Sequence, residues 1–338
     1  MPYQKSKPST AKLLEVARIA NVSPSTVSRF LNGTAKIGED KRKAVEAAIK
    51  ELNFKPNLAA RSLKTGKTMT IGVLTQAIDS PFFSINMLGI EAGLANSGYA
   101  PIIVSGHWDA QEELERIHLL MSRQIDGLII LTGHLSSEHI IELARQVPIV
   151  VTGRDIESEH LISTHINQEQ CGYLATQHLI DLGHRRIAHI AGPLDNPDAQ
   201  ARLAGYRRAL VQADLKWNAK LVAQGTFKEL GGTLATDHLL ASKQTFSAIF
   251  AANDQTAFGA RISLHRHGLS VPNDMSLIGV DDLPAAAYSI PPLSTVNNST
   301  YEIGIYAAQS LLRLLGHEVA EVSAPQVYLV QRESTAAF

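Results

Sequence analysis

Over the first fifty residues the apolar positions recur at helical spacing. Leu13, Val16, Ala17 and Ala20 stand at i, i+3, i+4 and i+7, which predicts a helix over 12–20. Asn21, tolerant of left-handed backbone, ends it; Val22 turns back toward the core, Ser23 caps the next helix and Pro24 suits its first position. That second helix, over 24–31, buries Val27 and Leu31 and turns Ser25, Thr26, Ser28 and Arg29 to other faces, before Asn32 and Gly33 stop it. Val45, Ala48, Ile49 and Leu52 repeat the spacing in a third helix over 39–52, with Gly38 a weaker N-cap than Ser would be. Three short helices with a three-residue turn between the first two form the helix-turn-helix plan, whose second helix enters the DNA major groove.

From residue 70 the pattern changes to short apolar runs at 70–74, 100–105, 126–131, 148–152, 186–191, 248–252 and 276–280, with further short runs at 221–224 and 327–331. Such runs predict buried parallel strands. Segments of helical length lie between them, at 84–97, 110–123, 136–146, 168–182, 198–213, 229–241 and 255–267. The alternation predicts α/β domains with doubly wound sheets, and the strands are too many for one open sheet. Two lobes are therefore expected, with a ligand cleft between them beyond the carboxyl ends of the strands.

Composition leaves this picture in place and charge sharpens it. The 338 residues are 45% apolar and 19% charged with one cysteine, Cys171, an ordinary globular balance without a disulfide framework. No secretory h-region opens the chain and no apolar run approaches the ~20 residues that span a bilayer, so a soluble, cytoplasmic protein without membrane partners is expected. The net charge of −1 conceals an asymmetry: residues 1–67 hold 14 Lys/Arg against 5 Asp/Glu, and residues 68–338 hold 17 against 27. A front end of +9 points to an anionic partner, with double-stranded DNA the leading candidate through counterion release from its phosphates.

Candidate binding chemistry gathers at strand ends. Asp79, Phe82 and Phe83 follow the first strand and Arg154 and Asp155 the fourth; Arg202 opens a helix, and Phe227, Asn253 with Asp254, and Asp281 with Asp282 follow later strands. Taken singly, each Asp could be a helix cap and each Phe core. As a set they suit a polyhydroxylated ring, because carboxylate, amide and guanidinium take paired hydroxyls while an aromatic covers an apolar face.

The stretches VARIANVSPSTVSRFLNG, KAVEAAIKELNFKPN and AARSLK closely resemble the lactose/galactose repressor (LacI/GalR) family of bacterial transcription regulators, and the likeness runs across nearly the whole chain. AARSLK, the GPL segment and RLAG resemble its purine-repressor branch. The resemblance implies a headpiece over 1–56, a hinge helix and linker over 57–67, and a two-lobed effector-binding and dimerisation core over 68–338 similar to periplasmic sugar-binding proteins. Its N-lobe would take about 68–165 and 296–326, its C-lobe about 166–295 and 327–338. Pro24, Ser25 and Arg29 match positions that read base edges, while Ser23, Thr26, Ser28 and Asn32 match positions that hold phosphates. Arg can pair bidentately with guanine, whereas hydroxyls and amides fix register. Pro24 can offer only apolar contact. The hinge, with Asn57, Arg61, Leu63 and Lys64, would enter the minor groove, Leu63 wedging between base pairs. At about eight residues this helix falls below the ~12–15 needed for marginal stability alone. In the core, Arg202, Phe227, Asn253 and Asp281 match effector contacts, and Phe82, Phe83, Asn196 and Asp198 match pocket-lining positions. Purine repressors carry Arg and Thr where Asn196 and Asp198 stand, so the likeness leans toward a sugar or nucleoside.

H-E-x-x-H, G-x-S-x-G, G-x-G-x-x-G and the P-loop motif are absent, so neither catalysis nor a cofactor is expected. His134 with His139 and His265 with His267 fit no metal-ligand spacing and are expected on solvated helix faces, His184 in a turn, and Cys171 as a small buried hydrophobe. No leucine heptad follows residue 331, leaving a two-fold homodimer on a pseudo-palindromic operator as the economical assembly. A solute-binding protein and a sugar-modifying enzyme are the alternative readings of the same two-lobed plan.

Overall fold

Asn21 takes the left-handed conformation at φ 49°, closing the first helix so that the amide of Val22 donates to Ala17 O at 3.0 Å. This turn belongs to a computed structural model that describes residues 13–31, 37–54, 66–319 and 325–338, in a chain that divides into residues 1–69 and 70–338. In the first unit α1 (Leu13–Ile19), α2 (Pro24–Leu31) and α3 (Glu39–Glu51) enclose Val16, Ala17, Ala20, Val27, Val45 and Ala48, with Leu31, Ile49 and Leu52 packed around them. Ser23 Oγ accepts the amide of Thr26 at 3.2 Å, as an N-cap should, and Gly38 gives α3 no side-chain cap.

The second unit contains two sheets. The first is fully parallel, in the order β2 (Ala100–Ser105), β1 (Thr70–Thr75), β3 (Gly127–Leu131), β4 (Ile149–Thr152) and β5 (Leu161–Thr164). The second runs β11 (Tyr328–Val330), β10 (Ser294–Asn297), β9 (Ser276–Val280), β8 (Ala248–Ala251), β6 (Ile187–Ala191) and β7 (Val222–Gln224), with only β11 antiparallel. Nine helices are described here: α4 (Pro81–Leu94), α5 (Ala110–Ser122), α6 (Ser137–Ala144), α7 (Gln168–Asp181), α8 (Pro197–Gln212), α9 (Glu229–Ala241), α10 (Asp254–Arg266), α11 (Pro284–Tyr288) and α12 (Thr300–Leu314). None of the described helices is long and apolar enough to cross a membrane.

Four expectations need correction. The helix expected at 84–97 begins at Pro81, because Pro suits a first helical position, so Phe82 and Phe83 ride on its opening turn. The run at 100–105 is an edge strand whose first four residues are exposed. Two strands, β5 and β10, lack an apolar run and were not anticipated. In β10 the fully buried Ser294 and Thr295 are satisfied by polar partners: Ser294 by Ser334 and Thr335, Thr295 by Asp254. Finally, β10 stays in the second sheet, so the return to the first lobe falls after Asn297, at Asn298 and Ser299, rather than at 296; α12 then packs on α4. The chain thus passes between lobes at 165–167, at 298–299 and again between α12 and β11.

Close helix contacts fix the cleft-facing residues. A Cβ on Gly172 of α7 would lie 2.0 Å from Arg202 O, and one on Gly205 of α8 would lie 2.0 Å from Glu169 O. Gly172→Ala must therefore push α8 away from α7. Overpacking of this kind costs about 1–3 kcal/mol, so calorimetry of the variant is expected to show the Tm lowered by several degrees; an unchanged Tm would mean that the helices separate freely.

Candidate functional site

In the headpiece, α2 presents polar groups. Ser23, Pro24, Ser25 and Arg29 are exposed, with Thr26 and Ser28 half-buried. Ser23 Oγ lies 2.7 Å from Ser25 Oγ and 2.8 Å from Thr26 Oγ1, which groups three hydroxyls at the helix start. One turn on, Arg29 Nε donates to Ser25 O at 3.3 Å. Asn32, Asn57, Arg61, Leu63 and Lys64 lie outside the described residues.

Between the two sheets a cavity of about 580 Å³ opens beyond the carboxyl ends of the parallel strands. Asp79, Phe82 and Phe83 line it from the first lobe, Asn196, Asp198, Arg202, Phe227, Asn253 and Asp281 from the second. Arg154 does not. Its guanidinium folds back to donate to the carbonyls of Gly133 and Leu135, beside Glu113, whose charge partly offsets the effect of burial on it. Asp282 turns the other way, accepting from Arg332 Nη2 at 2.6 Å and Asn297 Nδ2 at 2.9 Å.

The sequence reading missed Trp108, Thr132 and His134, which complete the first-lobe wall. His134 sits in the loop after β3, not on a solvated helix face. Three buried or half-buried side chains brace that loop. Glu113, fully buried, accepts the amides of His134 at 2.9 Å and Leu135 at 2.8 Å. Gln76 donates to Thr132 O at 3.0 Å and accepts the amide of Trp108 at 2.8 Å, and Arg154 supplies the third brace. The strand-end rule, extended to β2 and β3, would have found Trp108 and His134.

Four residues of the cleft wall have left-handed backbone. Trp108, Thr132, Phe227 and Asp281 all hold positive φ, at 60°, 50°, 61° and 114°. Such conformations cost on the order of 1–3 kcal/mol each and persist where the surroundings impose them. At Phe227 the restraint is Asn253, whose Nδ2 donates to Phe227 O at 3.0 Å while its Oδ1 caps α10 through Thr256. Asn196 likewise caps α8, accepting the amide of Ala199 at 3.1 Å.

The floor of the cleft carries a buried ion pair, Arg202 Nη2 to Asp281 Oδ1 at 3.6 Å, with side chains only 5% and 3% exposed. Arg202 is held from behind by Gln168 Oε1 at 2.9 Å and Ala252 O at 2.6 Å, and its guanidinium lies 5.7 Å from the centre of the Phe227 ring. Burial pushes the Asp281 carboxyl up to about 6, outweighing the pull of Arg202 and a hydrogen bond from Asn298. Asp198 is raised by the same cause and drawn back by Arg202. Asp254, fully buried behind the cleft wall, is raised well above the carboxylate range by burial and by the charge of Asp281.

His184 and Cys171 lie outside the cleft lining. His184 directly follows the turn after α7 and is buried, with Nδ1 2.7 Å from Ser247 Oγ and Nε2 3.1 Å from Ala336 O. Cys171 is fully buried, and burial pushes its thiol up to about 12. Among the described residues no group of three or more His, Cys, Asp or Glu side chains could hold a metal ion.

Two family profiles match the two units. Residues 12–57 match "Bacterial regulatory proteins, lacI family" and residues 68–333 match "Periplasmic binding proteins and sugar binding domain of LacI family". The ribose operon repressor of Haemophilus influenzae is 37% identical over 306 residues, covering 90% of this chain and 91% of that protein. The transcriptional repressor PurR of Vibrio campbellii is 35% identical over 304 residues, covering 89% and 91%. Among solved structures, the Lac repressor dimer bound to operator and the anti-inducer ONPF superposes with a TM-score of 0.84 at 29% identity, over 97% of this chain and 100% of that one. The CelR–cellobiose complex gives 0.69 at 32% identity, over 96% and 99%. The chain belongs to the LacI family of bacterial regulatory proteins.

Proposed function

We propose that the protein is a cytoplasmic transcriptional repressor that binds double-stranded operator DNA as a homodimer and changes its operator affinity when a small polyhydroxylated metabolite, a sugar or nucleoside, occupies the cleft. The observation that carries this reading is the pairing, in one chain, of a helix-turn-helix whose α2 exposes Ser25 and Arg29 with a strand-end cleft floored by Arg202 and Asp281. The relatives support it: they are repressors, and one is a dimer on its operator. A solute-binding protein would have no use for the basic headpiece.

Ser25 and Arg29 would read base edges with Pro24, while Ser23, Thr26, Ser28 and Asn32 position the helix on phosphates. Asn57, Arg61, Leu63 and Lys64 would serve the hinge, with Leu63 as the minor-groove wedge. In the cleft, Arg202, Asp281, Asn196, Asp198 and Asn253 would take hydroxyls, Asp79 would contribute from the rim, and Phe82, Phe83 and Phe227 would cover apolar faces. Arg154 would act only through the loop that carries His134.

Asp281 offers a route from cleft to lobe movement. Its Oδ1 accepts from Asn298 Nδ2 at 2.8 Å; Asn298 lies at the crossing between lobes and accepts from Thr300, which opens α12 against the first lobe. A ligand that competes for Asp281 biases that crossing, and differential affinity for two lobe arrangements becomes a shift in operator affinity.

Two outcomes test this. Arg29→Ala, on an exposed side chain, is expected to weaken operator binding by about tenfold to a hundredfold, the ~1–3 kcal/mol of a bidentate base contact, with Tm unchanged; fluorescence anisotropy on operator and scrambled duplexes reads it, and equal loss on both would remove Arg29 from base reading. The second is pH dependence. Asp281 holds its proton up to about 6 when folded, against 3.8 ordinarily, so the ligand-free protein loses stability from this group as pH rises from about 4 through about 6. A hydroxyl donor prefers the ionised carboxyl, so effector affinity is expected to be flat above pH ~7 and to fall below pH ~6, at most about tenfold per unit. Calorimetric titration across pH 5–8 should show Asp281→Asn flattening that slope; a slope surviving intact would assign it elsewhere.

A further inference from the structure

The charges lining the cleft are unequal. Five carboxylates face it, from Asp79, Asp195, Asp198, Glu229 and Asp281, against two cations, Arg202 and Lys228. Both cations already face carboxylates of the cleft. Arg202 spends Nε on Gln168 and Nη1 on Ala252, turns Nη2 toward Asp281, and lies over the Phe227 ring. Lys228 Nζ lies 3.9 Å from Asp79 Oδ2 at the exposed rim.

Acceptors, by contrast, are in surplus. Asp198 sits half-buried in the first turn of α8, and among the described residues no hydrogen bond reaches its carboxylate; it feels the charge of Arg202 one helical turn on, and its own charge opposes ionisation of Asp281. A molecule entering here is asked for hydroxyl or ammonium hydrogens and meets more carboxylates than cations, with the buried cation, Arg202, already engaged. A phosphate carrying about −1.5 to −2 charges would stand beside carboxylates in a partly dry site, where like charges at contact cost a factor of about a hundred or more.

We propose that the cleft selects an uncharged polyhydroxylated ligand over its phosphorylated or carboxylated form, and that Asp198 is the residue that enforces the choice. This rests on the cleft being the effector site of the regulator proposed above. Asp198 then has two effects: its carboxylate accepts ligand hydroxyls through strong charge-assisted bonds, and the same charge excludes the anion.

The test uses the full chain and matched pairs: D-ribose with ribose 5-phosphate, D-glucose with glucose 6-phosphate and with gluconate, and adenosine with adenosine 5′-monophosphate, together with cellobiose. Calorimetric titration and thermal shift read binding, and operator anisotropy is recorded in parallel. At least one neutral compound is expected to bind, with its anionic partner, where the pair has one, at least about a hundredfold weaker. Asp198→Asn, which keeps the shape and removes the charge, should weaken the neutral ligand by about tenfold and narrow the neutral-to-anion gap by a similar factor. An anion binding as tightly as its neutral parent, a gap unchanged in Asp198→Asn, or no neutral compound binding at all would each overturn the proposal. Should the variant fail to fold, the wild-type pairs decide alone. Operator binding separates the two readings: a chain that holds operator DNA and answers to an anion loses this inference and keeps the regulator, whereas a chain without operator preference loses the regulator while the ligand pairs still report the cleft.

Discussion

A guanidinium and a carboxyl must be kept from water together at the floor of the cleft, and much of the second unit is arranged around that requirement. Removing either charge from solvent alone would cost several kcal/mol, and a pair 3.6 Å apart only partly repays it. Gln168 and the Ala252 carbonyl satisfy the guanidinium, Asn298 satisfies the carboxyl, and the close approach of α7 to α8 fixes the backbone from which Arg202 extends. Burial still wins at Asp281, whose carboxyl remains reluctant to ionise. Such a pair adds little stability. It does leave the site responsive to whatever hydrogen-bond donors a ligand brings.

Much of this was legible in the sequence, for identifiable reasons. The headpiece helices show because each signal agrees: apolar spacing, Asn at the stop, Ser at the cap, Pro at the first position. Most strands show because a parallel strand covered on both faces needs an unbroken apolar run. Where burial is achieved with polar residues the signal disappears, as in β10, whose Ser294 and Thr295 are as buried as any valine but are satisfied by Asp254, Ser334 and Thr335 from distant parts of the chain. The cleft was legible through position: residues just beyond strand ends face it. That rule cannot see side-chain direction, which is why Arg154 turned back to brace a loop while His134, on the loop it braces, reached the cleft.

Charge is partitioned as sharply as structure. Residues 1–67 carry a surplus of cations and residues 68–338 a surplus of anions. A net negative charge over residues 68–338 offers duplex phosphates no overall attraction, whereas the surplus of Lys and Arg over residues 1–67 does. The same acidity reaches into the cleft.

The three passages of the chain between lobes have a consequence for biosynthesis. Neither lobe is one continuous stretch: the first lacks α12 until residue 314 has been made, and the second sheet lacks its border strand until residue 330. The core shared by α1–α3 comes from residues close together in the chain, so these helices can assemble early in synthesis. The two-sheet unit has to wait for its last segment, so its cleft is completed only after the headpiece core can already be packed.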